Sequence, residues 1–162
     1  MKNIVGIICE YDPFHRGHAR QFSLIRAQLP DALIVCLMSG CFTQRGMPAL
    51  FSPAFRAKAA LEAGADIVLE LPTIAAVRDA ENFALGGVGI FNRLGFISQL
   101  SFGTENPDLS LLGQIAHLLE HPDAVFQTAL QQSLAQGKPF AAAQADGVAA
   151  ALGQADTAAV VS

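Results

Sequence analysis

Apolar residues come in short continuous runs, with amphipathic stretches between them. Residues 3–8 form an apolar, β-branched run, the pattern of a strand buried on both faces. Comparable runs at Leu33 to Leu37, Asp66 to Leu71 and Phe96 to Phe102 predict three more strands. Between them, Gly17 to Gln28 reads as a helix, with Phe22, Leu24, Ile25 and Leu29 as its apolar positions. A second helix starts with Ser52 as N-cap and Pro53 in the first position, runs to about Ala63 and stops at Gly64. A third runs from Asp79 to Arg93 and ends near Gly95. Glu10 to Arg16 is a loop fixed by Pro13, and Ser39 to Ser52 is a long loop rich in Gly, Pro and polar groups. Asn106-Pro107 opens another helix that ends at His121-Pro122, and two or three helices follow. Four buried strands alternating with helices call for a parallel sheet with right-handed crossovers. That is a doubly wound α/β domain with added C-terminal helices, and such sheets bind ligands beyond the carboxyl ends of their strands. From Ala141 to Ala159 at least half the positions are alanine, interrupted by Gly147 and Gly153, with few large apolar groups to pack. This divides the chain into a ligand-binding α/β domain over 1–138 and an alanine-rich, helical or linker-like edge over 139–162, which ends without a stop signal.

Composition narrows the classes. The chain has 162 residues, of which 52% are hydrophobic and only 15% charged, so it is not a disordered chain. No apolar run approaches the ~18 residues of a membrane span, and the N-terminal run is too short for a signal-peptide core. The net charge of -4 is uneven: nine Lys/Arg and eight Asp/Glu lie in residues 1–93, one Lys (Lys138) and six Asp/Glu in residues 94–162. This is not a nucleic-acid-binding pattern, and if an RNA is the substrate its main electrostatic grip lies elsewhere. Three cysteines, Cys9, Cys36 and Cys41, with no C-x-x-C pair, suit a reduced, cytoplasmic chain.

The segment Gly6 to His18 carries the most chemistry. It is strand, loop and helix start, and the helix start offers unpaired N–H groups and a positive dipole end to a phosphate. Gly17 lets a ligand approach the backbone. His15 and His18 can each aim a ring N–H at phosphate oxygens during adenylyl transfer, where a preorganised donor is worth about 3–4 kcal/mol; the alternative is two exposed histidines near a cap. Neither G-x-x-x-x-G-K-[ST] nor G-x-G-x-x-G follows the first strand, which speaks against a P-loop ATPase and a dinucleotide oxidoreductase. Gly86-Gly87-Val88-Gly89 sits inside a predicted helix and reads as close helix–sheet packing. His117-Leu118-Leu119-Glu120-His121 is a literal H-x-x-E-H, but it lies on the last turn before Pro122 with no later Glu as third ligand, so no metal site is assigned. Ser39 and Gly40 are candidate walls of a nucleotide or substrate pocket. Arg45 can grip a carboxylate or phosphate, or pair with Glu10 or Glu70. Gly103, at the end of the fourth strand, can let adenine or ribose lie on the backbone, or be an ordinary turn with Thr104 as cap. Glu70, Asp79 and Glu81 place acids near the crevice without a general-base assignment. Cys9 in the nucleotide mouth and Cys41 in the loop read as small side chains rather than as nucleophiles.

Gly6 to His18, Met38-Ser39-Gly40 with Phe42 and Gln44-Arg45-Gly46-Met47-Pro48-Ala49, Asp66 to Pro72, Ala80-Glu81-Asn82-Phe83-Ala84 and Phe102-Gly103-Thr104-Glu105 together resemble the bacterial tRNA(Met) cytidine acetate ligases. These belong to the nucleotidyltransferase superfamily with the His-x-Gly-His signature. The resemblance covers nearly the whole chain. It implies a Rossmann-like fold and two steps: ATP and acetate give acetyl-adenylate and pyrophosphate, then the acetyl group passes to the wobble cytidine of elongator tRNA(Met). It places ATP, which ordinarily arrives with Mg²⁺, along the stretch matching Ile8 to Gln21, hence Ile8, Cys9, Glu10, Tyr11, Asp12, Pro13, Phe14, His15, Gly17 and His18, and near Gly103. The family usually has Asn at Asp12 and Cys41, and commonly at Arg16; an aspartate at position 12 adds negative charge beside the phosphates. Family members are more than twice as long, so the chain resembles their N-terminal part. Adenylylation or cytidylylation of a small phosphorylated substrate, and a non-catalytic nucleotide-binding paralogue, remain alternatives.

Overall fold

The computed structural model describes residues 3–104 and 108–153. The chain divides into two compact units, Met1–Gly103 and Thr104–Ser162. In the first, β1 (Ile4–Cys9), α1 (Arg16–Gln28), β2 (Leu33–Ser39), α2 (Pro53–Glu62), β3 (Ile67–Leu71), α3 (Thr73–Ala76), α4 (Ala80–Leu94) and β4 (Gln99–Leu100) follow one another. The strands form one sheet in the order β3-β2-β1-β4, and every pairing is parallel. The chain winds outward from β1 to β3 and then crosses back to place β4 on the other side of β1. The sheet is therefore doubly wound, with its topological switch point between β1 and β4.

Alternation along the strands sorts the two faces. Val5, Ile7, Cys9, Ile34, Cys36 and Met38 pack with Phe22 and Ile25 of α1 and Ala60 of α2. Val35, Leu37 and Leu71 pack with Ala76 and Phe91 on the opposite side, where Ile4 and Ile8 join them. Both faces are covered, which is why these strands read as continuous apolar runs. Close approach needs glycine at two places. A Cβ on Gly6 would lie 2.7 Å from the Phe91 ring, and one on Gly87 would lie 2.5 Å from the Ile8 side chain. Of the α4 glycines, Gly87 thus serves helix–sheet packing, Gly86 makes room for Ala75 of α3 at 2.8 Å, and Gly89 is not crowded.

Several ends differ from the pattern-based expectation. The fourth strand shrinks to Gln99–Leu100, because Phe96 and Phe102 are exposed at the edge of the sheet and only Ser98 and Ser101 extend the contact, through N–H bonds to the Ile4 and Gly6 carbonyls. The single turn α3 was not anticipated; Thr73 follows Pro72, whose carbonyl accepts the first bonds of that turn. Within Ser39–Ser52, Phe42 and Pro48 form an antiparallel bridge that closes a small hairpin, with Gly46 at φ 77°. Asp66 is structural: its carboxylate accepts from the Ile34 N–H at 2.7 Å and pairs with Arg26 at 2.6 Å.

The second unit contains α5 (Leu109–Glu120), α6 (Ala124–Ala135) and α7 (Phe140–Leu152). Asp108 and Asp123 cap α5 and α6; the Asn106-Pro107 start signal lies outside the described residues. Leu111, Ile115, Leu118, Phe126 and Val148 form its core. Gly147 does not interrupt α7. A Cβ there would stand 2.9 Å from the Phe126 ring, so the small residues of this stretch let α7 lie close against α6. Gly153, at φ 66°, ends the helix. Among the described residues no helix is long and apolar enough to cross a membrane.

Candidate functional site at the carboxyl end of the first strand

Beyond β1 the chain reverses through Tyr11, a non-glycine residue at φ 53°. This left-handed conformation is tolerated because the side chain is anchored. Tyr11 is only 2% exposed, its hydroxyl meets the Cys36 sulfur at 3.4 Å, and its ring packs against Phe14, His18 and Phe22. Burial and the neighbouring thiols push the Tyr11 phenol well up, and burial does the same to the Cys9 thiol. Cys9 donates to the Leu37 carbonyl at 3.7 Å. Both side chains are thus protonated core groups, and only their backbone can border a ligand.

His15 caps α1 and His18 completes the cap reciprocally. The Gly17 N–H donates to His15 Nδ1 at 3.1 Å, and the His15 N–H donates to His18 Nδ1 at 3.2 Å. This is a capping box built from two imidazoles. The rings stack with centroids 3.7 Å apart, and His18 is further held by Tyr11 at 4.7 Å and Phe14 at 5.4 Å. Gly17 is required beneath them, since a Cβ would lie 2.9 Å from the His15 ring. An Nδ1 that accepts a hydrogen bond carries no proton, so each neutral ring bears its proton on Nε2. The His15 and Gly17 N–H groups are therefore not unpaired, as the sequence suggested, but taken by the rings. The pair instead offers two Nε2–H donors at the positive end of the helix dipole, which suits an anion.

Burial first, and the neighbouring His15 second, lower the His18 pKa. The charged form is thus disfavoured in the folded state. This contribution to stability is complete above the unfolded histidine value of about 6.5 and is lost as pH falls through the lowered folded value. We expect an imidazole NMR titration to place the His18 midpoint below that reference, with exchange protection of the His15 amide lost in the same window. A midpoint at or above the reference would contradict the capped geometry.

The remaining candidates have varied surroundings. Glu10 accepts from the Gln44 N–H, with 2.5 Å between the atoms, so the acid partners the loop backbone. Arg45 is exposed and makes no ion pair among the described residues. Asp12 accepts from the Leu50 N–H at 2.8 Å and the Phe51 N–H at 3.2 Å, one through each carboxylate oxygen. Its charge is engaged by two backbone dipoles, a use that the sequence did not suggest. Ser39 is fully buried. Gly40 leaves room for Glu70, whose carboxylate would stand 2.5 Å from a Cβ there. Pro13 is exposed, and Ile8 faces α4. Gly103 has open space beside it, and Glu105 lies outside the described residues. Gln21 donates to the Ser101 hydroxyl at 3.0 Å and so joins α1 to the end of β4 across the switch point.

Sequence reasoning passed over Arg56. It is 1% exposed and lies one helical turn before the buried Ala60. A lone arginine on the apolar face of a helix was the available signal. Outside this region, the His117 and His121 rings stack at 4.9 Å on α5, and among the described residues no group of three His, Cys, Asp or Glu converges.

The model of a family described as HIGH Nucleotidyl Transferase matches residues 1–160. A tRNA(Met) cytidine acetate ligase of Clostridium perfringens is 40% identical over 89% of this chain and 36% of its own length. One of Bacillus licheniformis is 44% identical over 79% of this chain and 31% of its own length. The crystal structure of Thermotoga maritima TmcAL bound with alpha-thio ATP superimposes with a TM-score of 0.80 at 35% identity, covering 91% of this chain and 36% of that one. The chain spans about a third of the length of the curated relatives it matches.

Proposed function

Because the chain belongs to the HIGH nucleotidyl transferase family, we propose that its first unit binds ATP beyond β1 and activates acetate for transfer to the wobble cytidine of elongator tRNA(Met). The observation that carries this reading is the reciprocal His15–His18 pair at the start of α1, beside the switch point of the sheet. The two Nε2–H groups would hold phosphate oxygens where negative charge grows as pyrophosphate departs. An acetate oxygen attacks the α-phosphorus, the bond to the bridging oxygen of pyrophosphate breaks, and acetyl-adenylate forms. The cytidine exocyclic amine then attacks the acetyl carbon, a proton leaves the nitrogen, and AMP departs. Magnesium carried on the nucleotide would neutralise phosphate charge. The residues present fit that arrangement, because Glu10 and Asp12 already accept backbone N–H groups and leave the ion to the phosphates. With Lys138 the only Lys or Arg after residue 93, the tRNA's electrostatic hold belongs elsewhere. The free thiols suit a cytoplasmic protein.

The test is a thermal unfolding scan with Mg-ATP, using GTP and CTP as controls. ATP at about 100 times its dissociation constant should stabilise the fold by roughly 2.7 kcal/mol, a rise of about 5–10 °C for a chain of this size. No shift with any nucleotide would remove the ATP site. A shift followed by pyrophosphate release that needs acetate supports the ligase reading. Release that needs a phosphorylated alcohol or mononucleotide instead moves the assignment to a different nucleotidyl transfer, and binding without release leaves a nucleotide-binding module.

A further inference from the structure

We propose that Arg56 is a positioning residue for the nucleotide site; this rests on the reading above and adds to it. Its guanidinium reaches four acceptors from three separate stretches of chain. Nε donates to the Phe51 carbonyl at 3.1 Å, one Nη donates to the Glu10 carbonyl at 2.5 Å and the Ser39 hydroxyl at 3.5 Å, and the other Nη donates to the Gly40 carbonyl. Glu10 is the first residue after β1, Ser39 ends β2 and Gly40 follows it, and Phe51 lies just before α2. All four acceptors are neutral, and Arg56 forms no ion pair among the described residues. A buried arginine without a carboxylate is costly to keep; what it does here is fix the spacing of the two loops that leave the sheet at the site. One of these carries His15 and His18, the other Gln44 and Arg45.

The link to the histidines is continuous. Arg56 holds the Phe51 carbonyl, the Phe51 N–H donates to Asp12, and Asp12 lies three residues before His15. On the opposite side Arg56 holds the Glu10 carbonyl, while the Glu10 carboxylate accepts from the Gln44 N–H. A planar fork with five donors can span these acceptors at once, whereas a lysine ammonium presents its donors from a single point. Charge alone therefore does not replace the guanidinium.

The experiment compares Arg56→Lys with Ile25→Val, a change on α1 in the core cluster that includes Ala60 of α2, which touches none of these ties. Each is read by ATP titration calorimetry and by the imidazole NMR signals of His15 and His18, well below its unfolding midpoint. We expect Arg56→Lys to weaken ATP binding tenfold or more and to move the imidazole signals. Ile25→Val should lower the midpoint but change neither. Affinity within twofold and unmoved signals in Arg56→Lys would reduce Arg56 to a structural residue. Equal effects in both variants would do the same. If Arg56→Lys does not fold, Arg56→Gln, which keeps an amide donor without the fork, is read in its place. If the wild-type chain takes no ATP, the functional reading fails by itself, and the imidazole signals alone decide whether Arg56 sets the loop.

Discussion

Replacing His18 by alanine is expected to weaken ATP binding about 10–100-fold in titration calorimetry. The loss has two sources. The Nε2–H donor to a charged phosphate disappears, and hydrogen bonds to charged groups are worth about 1.5–3 kcal/mol, which corresponds to that range of affinity. The His15 N–H also loses its acceptor at His18 Nδ1, so the partner ring is no longer held by a complete cap. A missing cap costs about 1 kcal/mol of stability, and the variant should therefore melt slightly lower as well as bind less. The binding loss should scale with phosphate: large for ATP, small for adenosine. If ATP affinity stays within threefold, the histidine pair does not hold the phosphates.

The second large effect is on stability and concerns two glycines, Gly6 on β1 and Gly89 on α4. Gly6→Val places a β-branched residue where local propensity favours it, yet its first carbon already lies 2.7 Å from the Phe91 ring and 3.0 Å from Ile97. Phe91 is buried and has nowhere to go. Overpacking of this kind costs about 1–3 kcal/mol, a fall in midpoint of roughly 2–4 °C for each kcal/mol. Gly89→Ala on α4 should move the other way. A Cβ there meets only the flexible end of Arg93 at 3.8 Å, and alanine is favoured over glycine in a helix by about 0.8–1 kcal/mol. A Gly6→Val variant that melts no lower than the wild type would refute the packing seen between β1 and α4, and a Gly89→Ala variant that melts lower would refute the open space beside Gly89.

These two cases mark what the sequence could reveal. Buried parallel strands advertise themselves, because both faces are covered and each run is apolar throughout; β1, β2 and β3 were read to within a residue or two for that reason. The place of the His-x-Gly-His segment at the start of α1 was legible because an apolar run, a proline-fixed loop and an amphipathic stretch follow one another there. Other features depend on partners that are far away in the chain. Phe96 to Phe102 has the composition of a strand, but its hydrogen bonding is decided by how much of the edge can reach β1. Arg56 looks like a solvent-facing charge until three carbonyls converge on it. Asp12 looks like a charge beside phosphates until Leu50 and Phe51, 38 and 39 residues on, present their N–H groups to its two oxygens. Gly147 looks like an interruption until Phe126 occupies the space its side chain would fill. In each case the deciding neighbour is distant in the chain; for Arg56 its place on the apolar face of α2 hints at burial, but no local pattern names the acceptors.

The histidine cap has a consequence for the thermodynamics of capture. Immobilising a rotamer-rich side chain on binding costs about 0.5–1.5 kcal/mol. Here each imidazole has one nitrogen tied to the backbone, its partner ring stacked against it at 3.7 Å, and, for His18, two aromatic rings at its sides. The donors lose their rotational freedom when the chain folds rather than when a ligand arrives. On the proposed function, a phosphate entering the site would meet a rigid two-pronged fork, and the disorder given up at that moment would be the ligand's own.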